Sequence, residues 1–246
     1  MDRLIYTALS GMNSSMERQR VIASNLANAQ TVGFRAELLD QRPVTIEGDS
    51  LEVRAMQRAE VRGAVMTAGE MVRTGHGLDL FIQGEALMAV QASDGTEAYT
   101  RRADLSISPT GALVNGESLP VLGDNGPITV PLGSKITIAP DGVVSVTDPA
   151  APDAPSAEVG RIKLAGWQGS PILKGLDGLF RVVGGGILPA DAEATVVTGA
   201  LEKSNVNTTE VLVDMIDSQR LFDMRSKLIA TARDCDQAGA QLMRLG

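Results

Sequence analysis

His76 is the only histidine in the sequence, so a Ser-His-Asp or Cys-His relay, which needs an imidazole to carry the proton, would have to run through it. It stands in Thr74-Gly75-His76-Gly77, a turn-like setting, and no G-x-S-x-G elbow occurs anywhere in the chain. Cys235 is the only cysteine, which leaves no intrachain disulfide and no cysteine-based metal cluster. It falls in a helical pattern, where a small buried thiol is the expectation. Asp141 and Asp148 read as turn residues, and no EF-hand spacing surrounds them. Gly184-Gly185-Gly186 is not followed by Lys-Ser or Lys-Thr and reads as a loop, not a phosphate cradle. No spacing marks a pair of acids for sugar hydrolysis. The sequence therefore nominates no catalytic residue, no metal ligand and no cofactor, and the expectation is a protein that is not an enzyme.

The polar residues that do stand out are amides. Asn25 and Asn28 lie three apart within Ser24-Asn25-Leu26-Ala27-Asn28-Ala29-Gln30-Thr31-Val32-Gly33-Phe34-Arg35, so they share a helix face. Asn is a poor helix former. Its amide can bond laterally to the carbonyls of another helix or cap the last carbonyls of its own; both readings stand at this level.

A long helix must position them. Residues 1 to about 30 contain no proline and only Gly11. Ile5, Leu9, Met12, Met16, Gln19, Ala23 and Leu26 follow alternating steps of four and three, the spacing of a coiled-coil seam. Thr31-Val32-Gly33 supplies the stop. The other end of the chain mirrors this. Asn207 with Glu210 resembles a capping box. Val211, Met215, Ser218, Phe222, Arg225, Ile229 and Ala232 again alternate four and three, with no proline from 204 onward. Two thin helices bury little when paired only with each other, so their stability normally comes from further surfaces. Those surfaces are either neighbouring subunits or the protein's own sheet.

The middle reads as β. Ile136 and Ile138 alternate up to Pro140-Asp141-Gly142, and Val144 and Val146 alternate after it, which is a hairpin pattern. Ile107, Pro109, Gly111 and Leu113 repeat the same spacing. Asp148 to Ser156, with three prolines, reads as an exposed loop. Pro43, Gly48, Gly63 and Gly69 break residues 36–74 into an extended connector with short strands, or a helical turn near Val53 to Glu60. The fold class is thus α+β: N- and C-terminal helices paired as a coiled coil, residues 1–35 and 204–246, with a connector at 36–74 and a central, mostly antiparallel β domain at 75–203.

Composition bounds the function. The chain has 246 residues, 43% hydrophobic and 21% charged, with a net charge of -8. Residues 1–35 carry Arg3, Arg18, Arg20 and Arg35 against Asp2 and Glu17, so the acidic excess lies in the middle. That disfavours nucleic acid as a partner. Aromatics are only 3%, which suits an extended molecule with small-residue packing. No apolar run approaches the ~20 residues of a membrane span, and no cleavable signal is visible. The expectation is no membrane insertion and either a cytoplasmic location or export without cleavage.

The stretch from Ser24 to Arg35, S-N-L-A-N-x-x-T-x-G-F-R, resembles the signature of the flagellar rod and hook family. Leu78-Asp79 with Ile82-Gln83-Gly84 and Leu87-Met88-Ala89-Val90 is similar to that family's L-D-x-x-I-x-G block, although Met88-Ala89 replaces an aromatic pair and Gln30 a frequent Ser. Tyr99-Thr100-Arg101 with Gly111-Ala112-Leu113-Val114, and Gly199-Ala200-Leu201-Glu202-Lys203-Ser204-Asn205-Val206, resemble its later blocks. The matches span nearly the whole chain in the expected order. The opening Met1-Asp2-Arg3-Leu4-Ile5-Tyr6 is similar to proximal-rod members, whereas distal-rod members usually open with a tryptophan-containing segment and here the only tryptophan is Trp167.

The resemblance implies a structural rod subunit of the bacterial flagellar basal body, crossing the periplasm and exported unfolded by the flagellar export apparatus without a cleaved signal peptide. Its partners would be other copies of itself and other rod proteins. The implied assembly interface is Ile5, Leu9, Met12, Met16, Ala23, Asn25, Leu26, Asn28, Val211, Met215, Phe222 and Ile229, with the motif residues Ser24, Ala27, Thr31, Gly33, Phe34, Ser204, Asn205 and Val206. The competing readings are a distal-rod protein, or a soluble β-domain enzyme or sugar-binding module whose helices are only a scaffold.

Overall fold

The periodic ends of the chain form the two long helices, and the glycine-punctuated middle forms short strands. The computed structural model describes residues 2–45, 55–148 and 155–244. The chain divides into two compact units: Met1–Ala27, Glu37–Arg62 and Asn207–Gly246 make one, and Asn28–Ala36 with Gly63–Val206 make the other.

In the first unit, helix α1 (Asp2–Ala27) packs against helix α2 (Thr208–Arg244). Asn207 caps α2. Its side-chain oxygen accepts hydrogen bonds from the backbone N–H groups of Thr209 at 3.1 Å and Glu210 at 3.4 Å, satisfying two donors that a helix start leaves orphaned. Glu210 adds negative charge to the first turn, where the helix dipole favours it. Strands Glu37–Thr45 and Ala55–Ala64 pair with each other. The helical turn considered near Val53 to Glu60 is a strand from Ala55 onward, paired with Glu37–Thr45; only Ala59 to Arg62 alternates apolar with polar in the strand period. Val53 itself lies outside the described residues.

The second unit is β, with antiparallel pairing throughout its named strands. The two hairpins expected from spacing form, with Ile138 opposite Val144 and Ile107 opposite Leu113. Each closes through a glycine in the left-handed region, Gly142 at φ 84° and Gly111 at φ 83°. Of the loop from Asp148 to Ser156, residues 149–154 lie outside the described residues.

A five-stranded sheet forms the centre, in the order Leu164–Ala165, Leu87–Gln91, Glu97–Thr100, Phe180–Val182, Ile172–Lys174. Successive side chains on Leu87–Gln91 point to opposite faces. Met88 and Val90 enter one apolar core, with Leu113, Val121 and Val144, while Leu87 and Ala89 enter a second, with Tyr99, Phe180 and Leu188. Both faces are covered, which is why this strand is an unbroken apolar run and not an alternating one. Met88 fills its site completely despite standing where an aromatic residue is frequent.

Candidate assembly interface

Helix α1 buries a mixed set of small, polar and β-branched residues. Ser10, Ser14, Ser15, Val21, Ile22 and Asn25 are buried, and they recur at seven-residue intervals as 14 and 21, then 15 and 22. Small side chains let helix axes approach closely, and one long side chain fills the gap. Arg225 of α2 donates to the Gly11 carbonyl and to the Ser15 hydroxyl of α1. A Cβ at position 11 would sit 3.4 Å from the Arg225 guanidinium carbon, an ordinary contact, so the space beside Arg225 takes a small side chain but not a large one. The hydroxyls of Ser14 and Ser218 are buried without a hydrogen-bond partner among the described residues. Such a seam contributes less than an apolar one. At its rim Arg18 and Asp214 approach to 3.8 Å but stay solvated, and add little.

The four-three row read on α1 is not the row that α2 covers. Leu9, Met16 and Ala23 are exposed, Met16 to 54%, and Met12 and Leu26 are half-buried. The side chain of Ile5 lies outside the described residues. On α2 the row read from sequence is the less exposed one. Ser218 is buried, and Val211, Met215, Phe222, Arg225, Ile229 and Ala232 are half-buried. The other side of α2 is also apolar and lies open: Leu212, Val213, Ile216, Met224 and Leu228 are exposed, Met224 to 61%. Each helix thus carries a less exposed row and, on a different side, apolar side chains open to solvent.

Asn25 does neither of the things open to it in the sequence. Its amide accepts from the Glu37 backbone N–H at 2.8 Å and donates to the Glu37 carbonyl at 3.2 Å, pairing with that residue as a neighbouring strand would. Ser24 adds a bond from its hydroxyl to the Glu37 carboxylate. Asn28 closes the turn after α1, accepting from the Thr31 hydroxyl at 3.1 Å with its side chain and from the Thr31 N–H at 3.1 Å with its carbonyl. Ala27 is the last residue of α1 and is exposed. Gly33 has φ 66°, and a Cβ there would meet the Arg101 backbone at 2.4 Å. Its N–H donates to the Glu202 carbonyl at 2.7 Å.

Phe34 lies beneath the Lys174 ammonium, 3.4 Å from the ring centre, and Lys174 also donates to the Arg35 carbonyl. Asn205 joins two backbone segments, at Ala36 and at Val65 to Thr67. Its oxygen accepts from the Ala36 N–H at 2.7 Å, and its amide donates to the carbonyls of Val65 and Thr67. Ser204 accepts from the Val206 N–H at 3.3 Å, and Val206 is half-buried. The motif residues are therefore mostly backbone clasps.

The cluster that sequence reasoning missed is ionic. Arg35, Arg101 and Glu202 are each 2% exposed. Arg35 reaches Glu202 at 2.7 Å and Arg101 reaches its other carboxylate oxygen at 2.9 Å. The Gly69 N–H donates to the same carboxylate at 2.7 Å. Arg101 also binds the carbonyls of Ala86 and Gly84, and Arg35 binds that of Thr67. Burial pushes the pKa of both guanidinium groups below the ordinary arginine value, the Glu202 carboxylate opposes that, and at Arg35 the neighbouring Arg101 charge adds to the fall. One carboxylate thus holds two cations and four separate segments. The only hint in the sequence was that Arg35, Arg101 and Glu202 each stand inside a motif block.

The remaining candidates for chemistry are dispersed. His76 is exposed on a turn, 3.8 Å from Asp79. Cys235, expected as a buried thiol, is exposed, because it sits beside the row Arg225, Ile229, Ala232 and not on it. Among the described residues, no three His, Cys, Asp or Glu side chains converge on a possible metal position, and no helix is long and apolar enough to cross a membrane.

Comparison with known proteins places each part of this architecture. Residues 5–35 match the family described as flagella basal body rod protein, residues 81–146 the flagellar hook protein FlgE/F/G D1 domain, and residues 197–242 the flagellar basal body rod FlgEFG protein C-terminal. The chain is 43% identical to the flagellar basal-body rod protein FlgF of Escherichia coli (strain K12) and 41% identical to that of Salmonella typhimurium, in both cases over the whole of both chains. It is 30% identical to the flagellar basal-body rod protein FlgG of Bacillus subtilis, over 99% of this chain and 100% of that one.

Proposed function

The chain belongs to the flagellar basal-body rod protein family, and from that premise we propose that it builds the proximal part of the rod by polymerising through its two terminal helices. Relatives named as rod proteins align with it from end to end, so it is a structural subunit of the basal body and not an enzyme. Its 41% and 43% identity to two FlgF relatives, against 30% to the FlgG of Bacillus subtilis, favours the proximal over the distal position.

One observation carries the reading. Both helices keep an apolar row in solvent, Leu9 and Met16 on α1 and Leu212, Val213, Ile216, Met224 and Leu228 on α2. Fully burying a side chain of this kind contributes roughly 1.5–3 kcal/mol, a contribution that pairing the two helices with each other leaves unused. In this reading the pair is a coiled coil whose inner row registers the helices and whose outer rows, with Met12 and Leu26, seat neighbouring subunits. Asn25 and Asn28 shape the exit of α1, while Val211, Met215, Phe222 and Ile229 hold the pair. The chain reaches the periplasm through the flagellar export apparatus, without a cleaved signal and without membrane insertion. Cryo-tomography of a strain lacking the gene tests this: motors should end before a completed rod, with no hook. Full-length rods in those cells would overturn it.

A further inference from the structure

Two stretches of the second unit carry its covalent connections to the terminal helices. Residues 28–36 follow α1, and residues 203–206 lead into α2. Within the unit these stretches are bonded to each other. The Gly33 N–H donates to the Glu202 carbonyl at 2.7 Å, and the Asn205 N–H donates to the Phe34 carbonyl at 3.2 Å. The Asn205 side-chain oxygen accepts from the Ala36 N–H at 2.7 Å. The partners advance together, Gly33 with Glu202, then Phe34 and Ala36 with Asn205, so the two stretches run side by side in the same direction. The buried ion pair of Arg35 and Glu202 ties them further. Each stretch is also anchored sideways: the Val65 N–H donates to the Ala36 carbonyl at 2.8 Å, and the Lys203 N–H to the Glu70 carbonyl at 2.9 Å.

Direction decides how such a contact resists force. Tension arriving through α1 pulls residues 28–36 from their N-terminal end, and tension through α2 pulls residues 202–206 from their C-terminal end. Between stretches that run the same way these are opposite ends, so the pull slides one along the other. Every bond between them is then strained at once, and all must fail together. The helix pair is the contrary case. Arg18 meets Asp214 and Gly11 meets Arg225, so α1 and α2 run in opposite directions, are pulled from one end and open contact by contact. The bonds between the two stretches are also dry. Gly33, Arg35, Arg101 and Glu202 are buried, so a charge dragged from its partner is left without solvation. Forced unfolding reads that barrier and not the equilibrium stability.

We propose that residues 33–36 and 202–205 form a mechanical clasp, which carries tension between the two helix connections in shear and keeps it out of the five-stranded sheet. The chain of the second unit from Gly63 to Leu201 closes behind the clasp and lies outside the direct path of the load. The clasp gives one task to residues of two separate motif blocks, Gly33 to Arg35 and Glu202 to Asn205. It follows from the bond directions alone. That its load is the turning of a shaft rests on the reading of this chain as a rod subunit.

The test stretches single molecules of the full chain carrying Cys235→Ser and two cysteine handles. Gln30→Cys and Thr208→Cys, at exposed positions, load the clasp. Asp124→Cys and Leu176→Cys load the second unit elsewhere; both positions are exposed on turns, Leu176 to 96%. The unit is expected to rupture in one step, at a higher force through the first pair of handles than through the second. An equal or lower force through the first pair overturns the clasp. Asn205→Ala removes the side-chain bonds to Ala36, Val65 and Thr67 and is expected to lower the force in the first geometry and not in the second. An equal fall in both means a contact that stabilises without bearing load, and overturns the clasp as well. In cells, Asn205→Ala is expected to enter basal bodies but to stop swimming at a lower viscosity of the medium than the parent. Unchanged swimming at every viscosity, with the variant present in basal bodies, overturns the load-bearing role and leaves the rod reading intact. The parent chain missing from basal bodies of swimming cells overturns the rod reading alone, since the stretching result does not depend on it.

Discussion

Arg35 and Glu202, remote in sequence, meet at 2.7 Å with both side chains almost wholly buried. Arg101 completes the cluster from the other side. Replacing Glu202 with Leu leaves two buried cations facing each other without a carboxylate, which costs about 3–5 kcal/mol. The measurement is urea unfolding of the purified chain. A loss below about 1 kcal/mol would show that the cluster is not what ties the four segments together.

Gly33→Ala places a Cβ 2.4 Å from the Arg101 backbone at a φ of 66°. Clash and strain together lower stability by at least about 1–3 kcal/mol. Gly63→Ala, with nothing within 4 Å of its Cβ, serves as the control and is expected to be neutral or slightly stabilising. Thermal unfolding of the two variants side by side distinguishes a positional requirement from a general intolerance of alanine.

Gly11→Leu puts a large side chain into the space beside Arg225. The expected result is fast amide exchange along α1 and α2, with unchanged protection in the five-stranded sheet. Arg225→Leu removes the bonds to Gly11 and Ser15 and moves exchange in the same direction. Retained helix protection in both variants would mean that the pair does not depend on this contact.

Ile216→Asp on the outer row of α2 touches solvent in the isolated chain. Its circular dichroism should match that of the parent, while swimming is lost, because a charge is carried into a subunit contact. Phe222→Asp, on the less exposed row, should instead loosen the helix pair as well as abolish swimming. A swimming Ile216→Asp strain would show that the outer row is not the polymerising surface.

The Arg181 guanidinium beside Asp177 holds that carboxyl below its ordinary range, aided by the Leu179 N–H. A lowered folded-state pKa means that the contribution to stability is present above the unfolded value of about 4 and is lost as pH falls through the lower folded value. Carbon-detected NMR titration should therefore find Asp177 ionised below pH 4, and Arg181→Gln should move its midpoint upward. With side chains 33% and 42% exposed, the effect on global stability is small. A midpoint unaffected by Arg181→Gln would remove the ion pair as the lock of the Leu176 turn.

Much of the fold was legible because it is written in local spacing. The hairpin at Pro140-Asp141-Gly142 needs only a turn glycine and flanking alternation, and it forms there. The helix start at Asn207 needs only a side-chain acceptor ahead of an apolar run. The strand at Ala55–Ala64 was less legible, since Gly63 and the polar residues around it blur the period.

The sequence by itself determined two terminal helices, an antiparallel middle and membership in a rod family, all of which depend on residue types at short range or on ordered motifs. Only the tertiary structure decided which side of α1 is covered. Leu9 and Met16 are exposed, while Gly11 and Ser15 meet Arg225 of α2, because the choice depends on where α2 places Arg225 and not on α1 alone. It also decided that Asn25 bonds to Glu37, and that Arg35, Arg101 and Glu202 converge. A buried ion cluster gathers its members from distant segments at whatever separation the fold allows, so no spacing in the chain announces it.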